Sequence, residues 1–121
     1  MKNLERCNKK QLAEYLDVSV RSIDRYTSLG LPCLHAEEIG KETIYVVAYA
    51  IRWVIGYSEA KPYKLKETDC LVLTLFGYAV EGMNEFQLQN KGNEIAKITG
   101  HSEFDLGRAV GILKQGNLIR V

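Results

Sequence analysis

One short stretch of the sequence carries polar side chains at a spacing that suits contact with the edges of DNA bases. On a helix running from about Val20 to Leu29, Ile23 and Tyr26 would face inward. The side chains left on its outer side are Ser19, Arg21, Ser22, Asp24, Arg25 and Ser28. Arginine can bond bidentately to a guanine edge, and serine can contact bases or phosphates. The pattern therefore predicts hydrogen bonding to nucleic acid.

Two lysines add local positive charge next to this stretch. Lys9 and Lys10 open the preceding predicted helix, whose unpaired N–H groups also suit a phosphate. Between residues 1 and 34 there are six basic residues and four acids, a local net charge of +2. The alternative is that Arg21 and Arg25 belong to a solvated helix face and pair with nearby acids.

The spacing of small and apolar residues predicts that the two helices form a helix-turn-helix. Ala13 is the small residue at which the second helix can cross the first, and Ile23 follows ten positions later as its inward anchor. Asp17 occupies the turn position, where a left-handed backbone is needed, and aspartate tolerates that region better than most residues. Val18 would fill the gap beneath the turn.

Local signals place the remaining elements of the first half. Asn8 and Gln11 have the spacing of a capping box, and Ser19 can cap the second helix. Leu34 and residues 44–46 read as the two strands of a hairpin with a polar tip, the wing. From Val47 the apolar residues return to helical spacing.

The second half repeats this organisation after a polar linker at residues 61–66. We expect a helix from Asp69 to about Val80, a short strand at residues 85–89 and a short helix at residues 90–98. Ser102 would cap a further helix that Gly116 ends, and residues 118–121 read as a final strand.

This second half has helix-turn-helix spacing of its own, with Ala96, Gly100 and Leu106 at the key positions. Its outer helix face starts with acids, which suit the helix dipole but repel phosphate. The residues that could make contacts there are Phe104, Arg108 and Lys114. Dimerisation, partner binding and DNA contact all stay open for this module.

Length and composition limit the possible architectures. The chain has 121 residues, 46% of them hydrophobic, which excludes wholesale disorder and allows a real core. The sequence predicts a mainly α fold with small β wings, an α+β arrangement of tandem winged helix-turn-helix modules. Residues 1–60 would form the DNA-binding module and residues 67–121 a second winged-helix-like module. Because the net charge is only +1, any basic surface must be local.

Other kinds of site find no support in the sequence. The three scattered cysteines have neither disulfide nor metal-ligand spacing, and no nucleophile triad or phosphate loop is present, so we expect no catalysis, metal or cofactor. No apolar stretch suits a secretory signal or a membrane span. We therefore expect a protein of the cytoplasm with no membrane contact.

Residues of the first half resemble a known family. The run Asn8-Lys9-Lys10-Gln11-Leu12-Ala13, then Ser19-Val20-Arg21-Ser22-Ile23, Gly30-Leu31-Pro32, Tyr45 and Ile51-Arg52-Trp53 is similar to the N-terminal winged helix of the small terminase subunit of lambda-like phages. The resemblance covers about residues 5–60. That family continues into long charged helices, whereas this sequence predicts a second compact module.

The resemblance implies recognition of a packaging-start site on double-stranded phage DNA, by a homodimer that can meet a large terminase subunit or another phage or host protein. Carried over by position, the base-reading residues are Ser19, Arg21, Ser22 and Arg25. Lys10 would contact the backbone and Lys41 would lie in the wing. Apart from the resemblance, His35 could touch DNA from the wing, and the alternative is a histidine that only faces solvent.

Two other functions fit the same residues. One is an excisionase-like or repressor-like regulator of recombination or transcription. The Ser-x-Arg-x-Ile and Gly-x-Pro pieces of this sequence are shared with excisionase-like and MerR-like DNA-binding domains. The other is a winged-helix adaptor that binds proteins and no DNA.

Overall fold

The computed structural model describes residues 5–34, 43–60 and 70–119. Within them, six helices and two short strands follow one another along the chain, so this part of the protein is mainly helical. They are β1 (Arg6–Asn8), α1 (Lys9–Leu16), α2 (Val20–Ser28), β2 (Ile44–Val46), α3 (Val47–Glu59), α4 (Cys70–Val80), α5 (Glu85–Thr99) and α6 (Glu103–Gln115).

The boundaries of α1 and α2 confirm the capping predictions. The Asn8 side chain accepts a hydrogen bond from the Gln11 N–H, and the Gln11 side chain accepts from the Asn8 N–H, which closes the capping box. Asp17 ends α1 with a φ of 57°, the left-handed conformation that its position in the turn predicted. The Ser19 side chain then caps α2 by accepting from the Ser22 N–H.

The small sheet differs from the predicted hairpin. β2 pairs antiparallel with β1, in the register Arg6 with Val46 and Asn8 with Ile44, and β1 was not predicted. The Leu34 N–H does donate to the Ile44 carbonyl at 2.8 Å, so this residue flanks β2 without forming a strand. The strand predicted at residues 44–46 is confirmed as β2, whereas the strand predicted at Leu34 is not formed. The segment before α1 supplies the partner strand of β2 instead.

Helices α3 and α4 cross at backbone contact. A Cβ atom placed on Gly56 would lie 1.9 Å from the Leu73 carbonyl oxygen, and one on Gly77 would lie 2.0 Å from the Arg52 carbonyl oxygen. Only glycine fits at both positions, because the two backbones touch there. α4 is buried along most of its length. All residues from 70 to 78 are buried, and Thr74 satisfies its hydroxyl by donating to the Cys70 carbonyl at 2.6 Å.

One continuous apolar core joins the two halves of the sequence. Its fully buried members include Leu12, Ile23, Tyr45, Trp53, Leu75, Leu88, Ile95 and Leu113. The linker predicted at 61–66 lies outside the described residues, so the division into two modules stays a prediction.

The second half contains a long helix where a strand was predicted. Residues 85–89 belong to α5, whose start is fixed by a capping box between Asn84 and Gln87. Alternating polarity suggested a strand, but Phe86 points to solvent and only Leu88 is buried, as one turn of an amphipathic helix allows. The strand prediction was wrong, and the helix expected to begin at residue 90 begins at Glu85.

The start and end of α6 follow from local sequence. Ser102 caps it in a box with Asp105, as predicted. After Gly116, Asn117 turns into the left-handed region with a φ of 57°, and the Leu118 N–H donates to the Leu113 carbonyl at 2.9 Å. Leu118 and Ile119 are therefore not in a strand, contrary to the prediction; residues 120 and 121 lie outside the described part.

Among the described helices, none has both the length and the apolar composition that crossing a membrane requires.

Candidate nucleic-acid interface

The inner side of α2 is fixed to α1 by buried apolar contacts. Ile23 is completely buried, and so is Leu12 on α1, and Ala13 is buried as well. The Val18 N–H donates to the Ala13 carbonyl at 3.0 Å, which holds the connecting turn against the end of α1. The predicted anchors therefore lie where the spacing placed them, and α2 is held by one face only.

Aromatic rings attach the end of α2 to α3. The rings of Trp53 and Tyr57 are stacked, with their centres 5.0 Å apart and an angle of 9° between their planes. The centre of the Tyr26 ring on α2 lies 5.6 Å from the centre of the Trp53 ring. Thr27 donates to the Ile23 carbonyl at 2.8 Å and lies 2.9 Å from the Tyr45 hydroxyl on β2. These contacts fix α2 in rotation, which determines the residues that it presents to solvent.

The outer face of α2 combines exposed charges with serines that make hydrogen bonds of their own. Arg21, Asp24 and Arg25 are exposed. Ser19 donates to the Ser22 hydroxyl at 3.1 Å, and Ser28 donates to the Arg25 carbonyl at 2.7 Å. Since these two hydroxyl protons are already engaged, the arginines are the main donors that this face offers.

An ion pair links this face to the start of α1. The Lys9 Nζ lies 2.6 Å from the Asp24 Oδ1, and both side chains are exposed by 40% or more. The hydrogen bond to Asp24, followed by its negative charge, raises the pKa of Lys9. Lys10 beside it is exposed as well. Asp24 therefore compensates part of the positive charge at this face.

The two wing residues His35 and Lys41 lie outside the described residues, so their predicted contacts stay predictions.

On the second half, the predicted contact residues all lie on α6. Phe104 is 79% exposed and Arg108 is exposed. Lys114 lies 3.1 Å from the Glu85 carboxylate and so joins the end of α6 to the start of α5. Asp105 is engaged in the cap, where the Ser102 N–H lowers the pKa of its carboxyl.

Comparison with known proteins found similarity to a terminase small subunit. Over 62 residues the chain is 40% identical to the P21 prophage-derived terminase small subunit of Escherichia coli O6:H1 (strain CFT073). The matched part is 51% of this chain and 29% of that protein. No protein-family model matches the chain. The similarity supports the resemblance to small terminase subunits that the sequence motifs indicated.

A polar cluster between the helices was not found from the sequence. The buried Tyr49 of α3 donates to the Glu94 carboxylate of α5, and Arg52 lies 2.6 Å from Glu81 and 5.0 Å from the Tyr78 ring centre. Burial, and then the bond to Glu94, raise the pKa of Tyr49 far above its ordinary value. Partners 45 positions apart give no local signal, so no sequence pattern could have paired them.

The cysteines and acids give no sign of a catalytic or metal site in the described ranges. Burial raises the pKa of Cys7 and of Cys33, so both thiols stay protonated at neutral pH and are poor nucleophiles. Within residues 5–34, 43–60 and 70–119, no three potential ligand side chains lie together as a metal ion would require.

Proposed function

We propose that this protein binds double-stranded DNA at a specific sequence and serves phage DNA packaging in the manner of a small terminase subunit. In this proposal α1 and α2 form a helix-turn-helix, and α2 enters the major groove. A second module, whose described residues form α4, α5 and α6, completes the proposed arrangement. The role is one of recognition and needs no catalytic residue or cofactor.

The observation that carries the proposal is the contrast between the two sides of α2. Its inner side is held by the completely buried Ile23 and by the aromatic contacts of Tyr26, so its orientation is fixed. Its outer side presents Arg21 and Arg25, one helical turn apart and both exposed. A rigid helix with two neighbouring guanidinium groups suits bidentate contacts with guanine.

The prophage relative favours packaging over the other functions that fit a DNA-binding fold. That relative is named as a terminase small subunit, and the identity of 40% extends over half of this chain. On this basis the partners of the protein are phage DNA, a second copy of the chain and a large terminase subunit, all inside the bacterial host cell. Recombination or transcription control remains the competing role.

The direct test measures binding to a DNA fragment that the wild-type protein selects from a phage-genomic library. Arg21→Ala and Arg25→Ala should each weaken specific binding by about 1–3 kcal/mol, because each removes one bidentate contact. The matched control is Arg108→Ala, which removes the same charge from α6. Equal losses of binding in all three variants would show that DNA affinity depends only on total charge. That result would contradict base reading by α2.

A further inference from the structure

The exposed side of α2 contains one apolar side chain among its polar ones. Val20, the first residue of the helix, is 42% exposed. The two other large apolar residues of α2 are turned inward, where Ile23 is completely buried and Tyr26 packs against Trp53. A valine is not needed at position 20 to form the helix either, because β-branched residues are weaker helix formers than straight-chain ones. The internal packing of the chain therefore does not explain this side chain.

Val20 lies on the same side of α2 as the residues proposed to contact DNA. With about 3.6 residues per turn, positions 20, 21, 24, 25 and 28 fall on one side of the helix, and all five are exposed. Val20 directly precedes Arg21 and lies one turn before Asp24. An apolar group thus belongs to a surface that otherwise carries charges and a hydroxyl.

The first turn of α2 is suited to the approach of DNA. A recognition helix contacts base edges with residues near its N-terminus, which is where Val20 lies. The first turn of α2 contains no acid, whereas that of α6 contains Glu103 and Asp105. The beginning of α2 therefore adds no negative charge that would repel phosphates.

We propose that Val20 is a specificity-determining residue that contacts the 5-methyl group of a thymine in the major groove. This role rests on the proposed function, since it requires α2 to lie in that groove. The thymine methyl is the apolar group that base pairs present there, and the other groups are hydrogen-bond donors and acceptors. A valine held against a donor or acceptor takes water away from it and offers no hydrogen bond in return. Val20 therefore favours thymine at the position that it covers.

Val20 and the two arginines read different bases. Arg21 and Arg25 supply the donors that a guanine edge accepts, whereas the valine side chain makes no hydrogen bond. The arginines by themselves do not distinguish thymine from a base without the methyl group. The sequence that the protein selects should therefore contain a thymine as well as guanine, and the preference for that thymine should depend on Val20.

Replacement of thymine by deoxyuridine tests the contact, because deoxyuridine lacks only the 5-methyl group. The probe is the DNA fragment that the wild-type protein selects from a phage-genomic library. Its thymines are replaced one position at a time, in every repeat if the selected sequence is repeated. At one position the dissociation constant of the wild type should rise about fourfold, the effect of removing one methyl group from an apolar contact. Fluorescence anisotropy of labelled fragments measures the change.

Val20→Ala should abolish the preference for thymine. This variant should bind the thymine fragment more weakly than the wild type does, and it should bind the thymine and deoxyuridine fragments with the same dissociation constant. Val80→Ala is the matched control, because Val80 is 45% exposed at the end of α4. The control should respond to deoxyuridine as the wild type does.

Circular dichroism and thermal unfolding separate this effect from folding. Val20→Ala should be as stable as the wild type, because the side chain that it shortens is exposed and alanine favours a helix.

A thymine contact by Val20 is excluded if no thymine of the selected fragment responds to deoxyuridine. It is also excluded if Val20→Ala loses the same factor of affinity on both fragments, because the side chain would then pack against the sugar–phosphate backbone. Binding by Val20→Ala that equals wild-type binding on both fragments excludes it as well.

The proposed function survives these three results if Arg21→Ala and Arg25→Ala still lose the selected sequence. A wild type that selects no sequence overturns the proposed function, and the thymine contact with it.

Discussion

At the scale of single residues, the ion pair between Lys9 and Asp24 sets the charge of the proposed DNA surface. Asp24 holds the Lys9 ammonium at 2.6 Å, so one positive charge near α2 is compensated within the protein. In the near-neutral chain, with a net charge of +1, this local compensation matters more than it would in a strongly basic protein.

Asp24→Asn should therefore strengthen DNA binding at low salt. The change frees Lys9 to contact a phosphate, so the slope of the logarithm of the binding constant against the logarithm of salt concentration should steepen by about one. Fluorescence anisotropy in a salt series measures it. Glu59→Gln is the control, because it removes one negative charge at the end of α3. An equal gain in both variants, or none in Asp24→Asn, would argue against a phosphate contact by Lys9.

At the same scale, the buried tyrosines predict how stability depends on pH. Burial is the largest cause that raises the pKa of Tyr78 to about 12 from an ordinary value of 10.0. The unfolded chain releases this proton near pH 10, whereas the folded chain keeps it until about pH 12. The contribution of Tyr78 to the free energy of unfolding is therefore complete below pH 10, and it is lost as the pH rises through about 12.

Urea unfolding at a series of alkaline pH values should show this loss. In Tyr78→Phe, which keeps the ring beneath Arg52, the free energy of unfolding should fall less steeply between pH 10 and 12. A fall as steep as that of the wild type would show that Tyr78 does not carry the effect.

At the scale of the elements, the crossing of α3 and α4 depends on two glycines. Gly56→Ala places its Cβ 1.9 Å from the Leu73 carbonyl oxygen, so the helices must move apart or bend. We expect the free energy of unfolding to fall by about 1–3 kcal/mol, the usual cost of overpacking a core.

Gly107→Ala is the matched control in the helix α6. It should raise the free energy of unfolding by as much as about 1 kcal/mol, because alanine favours a helix and its Cβ meets no described atom. Both changes are measured by urea unfolding of the full chain. A loss in Gly107→Ala as large as in Gly56→Ala would contradict the described crossing.

The elements also show what the sequence could predict. Asn8 with Gln11 and Ser102 with Asp105 fix helix starts over four residues, and such local signals were interpreted correctly. The same capping signal is present at Asn84 and Gln87, but the strand was predicted from the alternating polarity of residues 85–89.

Contacts between distant residues left no pattern in the sequence. The strand β1 pairs with residues almost forty positions away, and the pairing of Tyr49 with Glu94 spans 45 positions. The candidate face on α2 was predictable, because helical spacing and the buried Ile23 determine which side chains lie outside. Its ion pair was not, because Lys9 and Asp24 meet only once α1 and α2 are packed.

At the scale of the whole molecule, the structure connects the proposed DNA surface to the second half through one core. The rings of Tyr26, Trp53 and Tyr57 join α2 to α3, and α3 is in backbone contact with α4. The proposed DNA surface on α2 is thus carried by the same continuous packed core that holds the second half of the chain.

The central claim is that α2 reads a DNA sequence. The most direct measurement is selection of fragments from a phage-genomic library, carried out in parallel with the wild type and with the Arg21→Ala/Arg25→Ala double variant. The account predicts that the wild type enriches a defined sequence and that the double variant does not enrich it. Recovery of the same sequence by the double variant, or no enrichment by the wild type even at low salt, would contradict it.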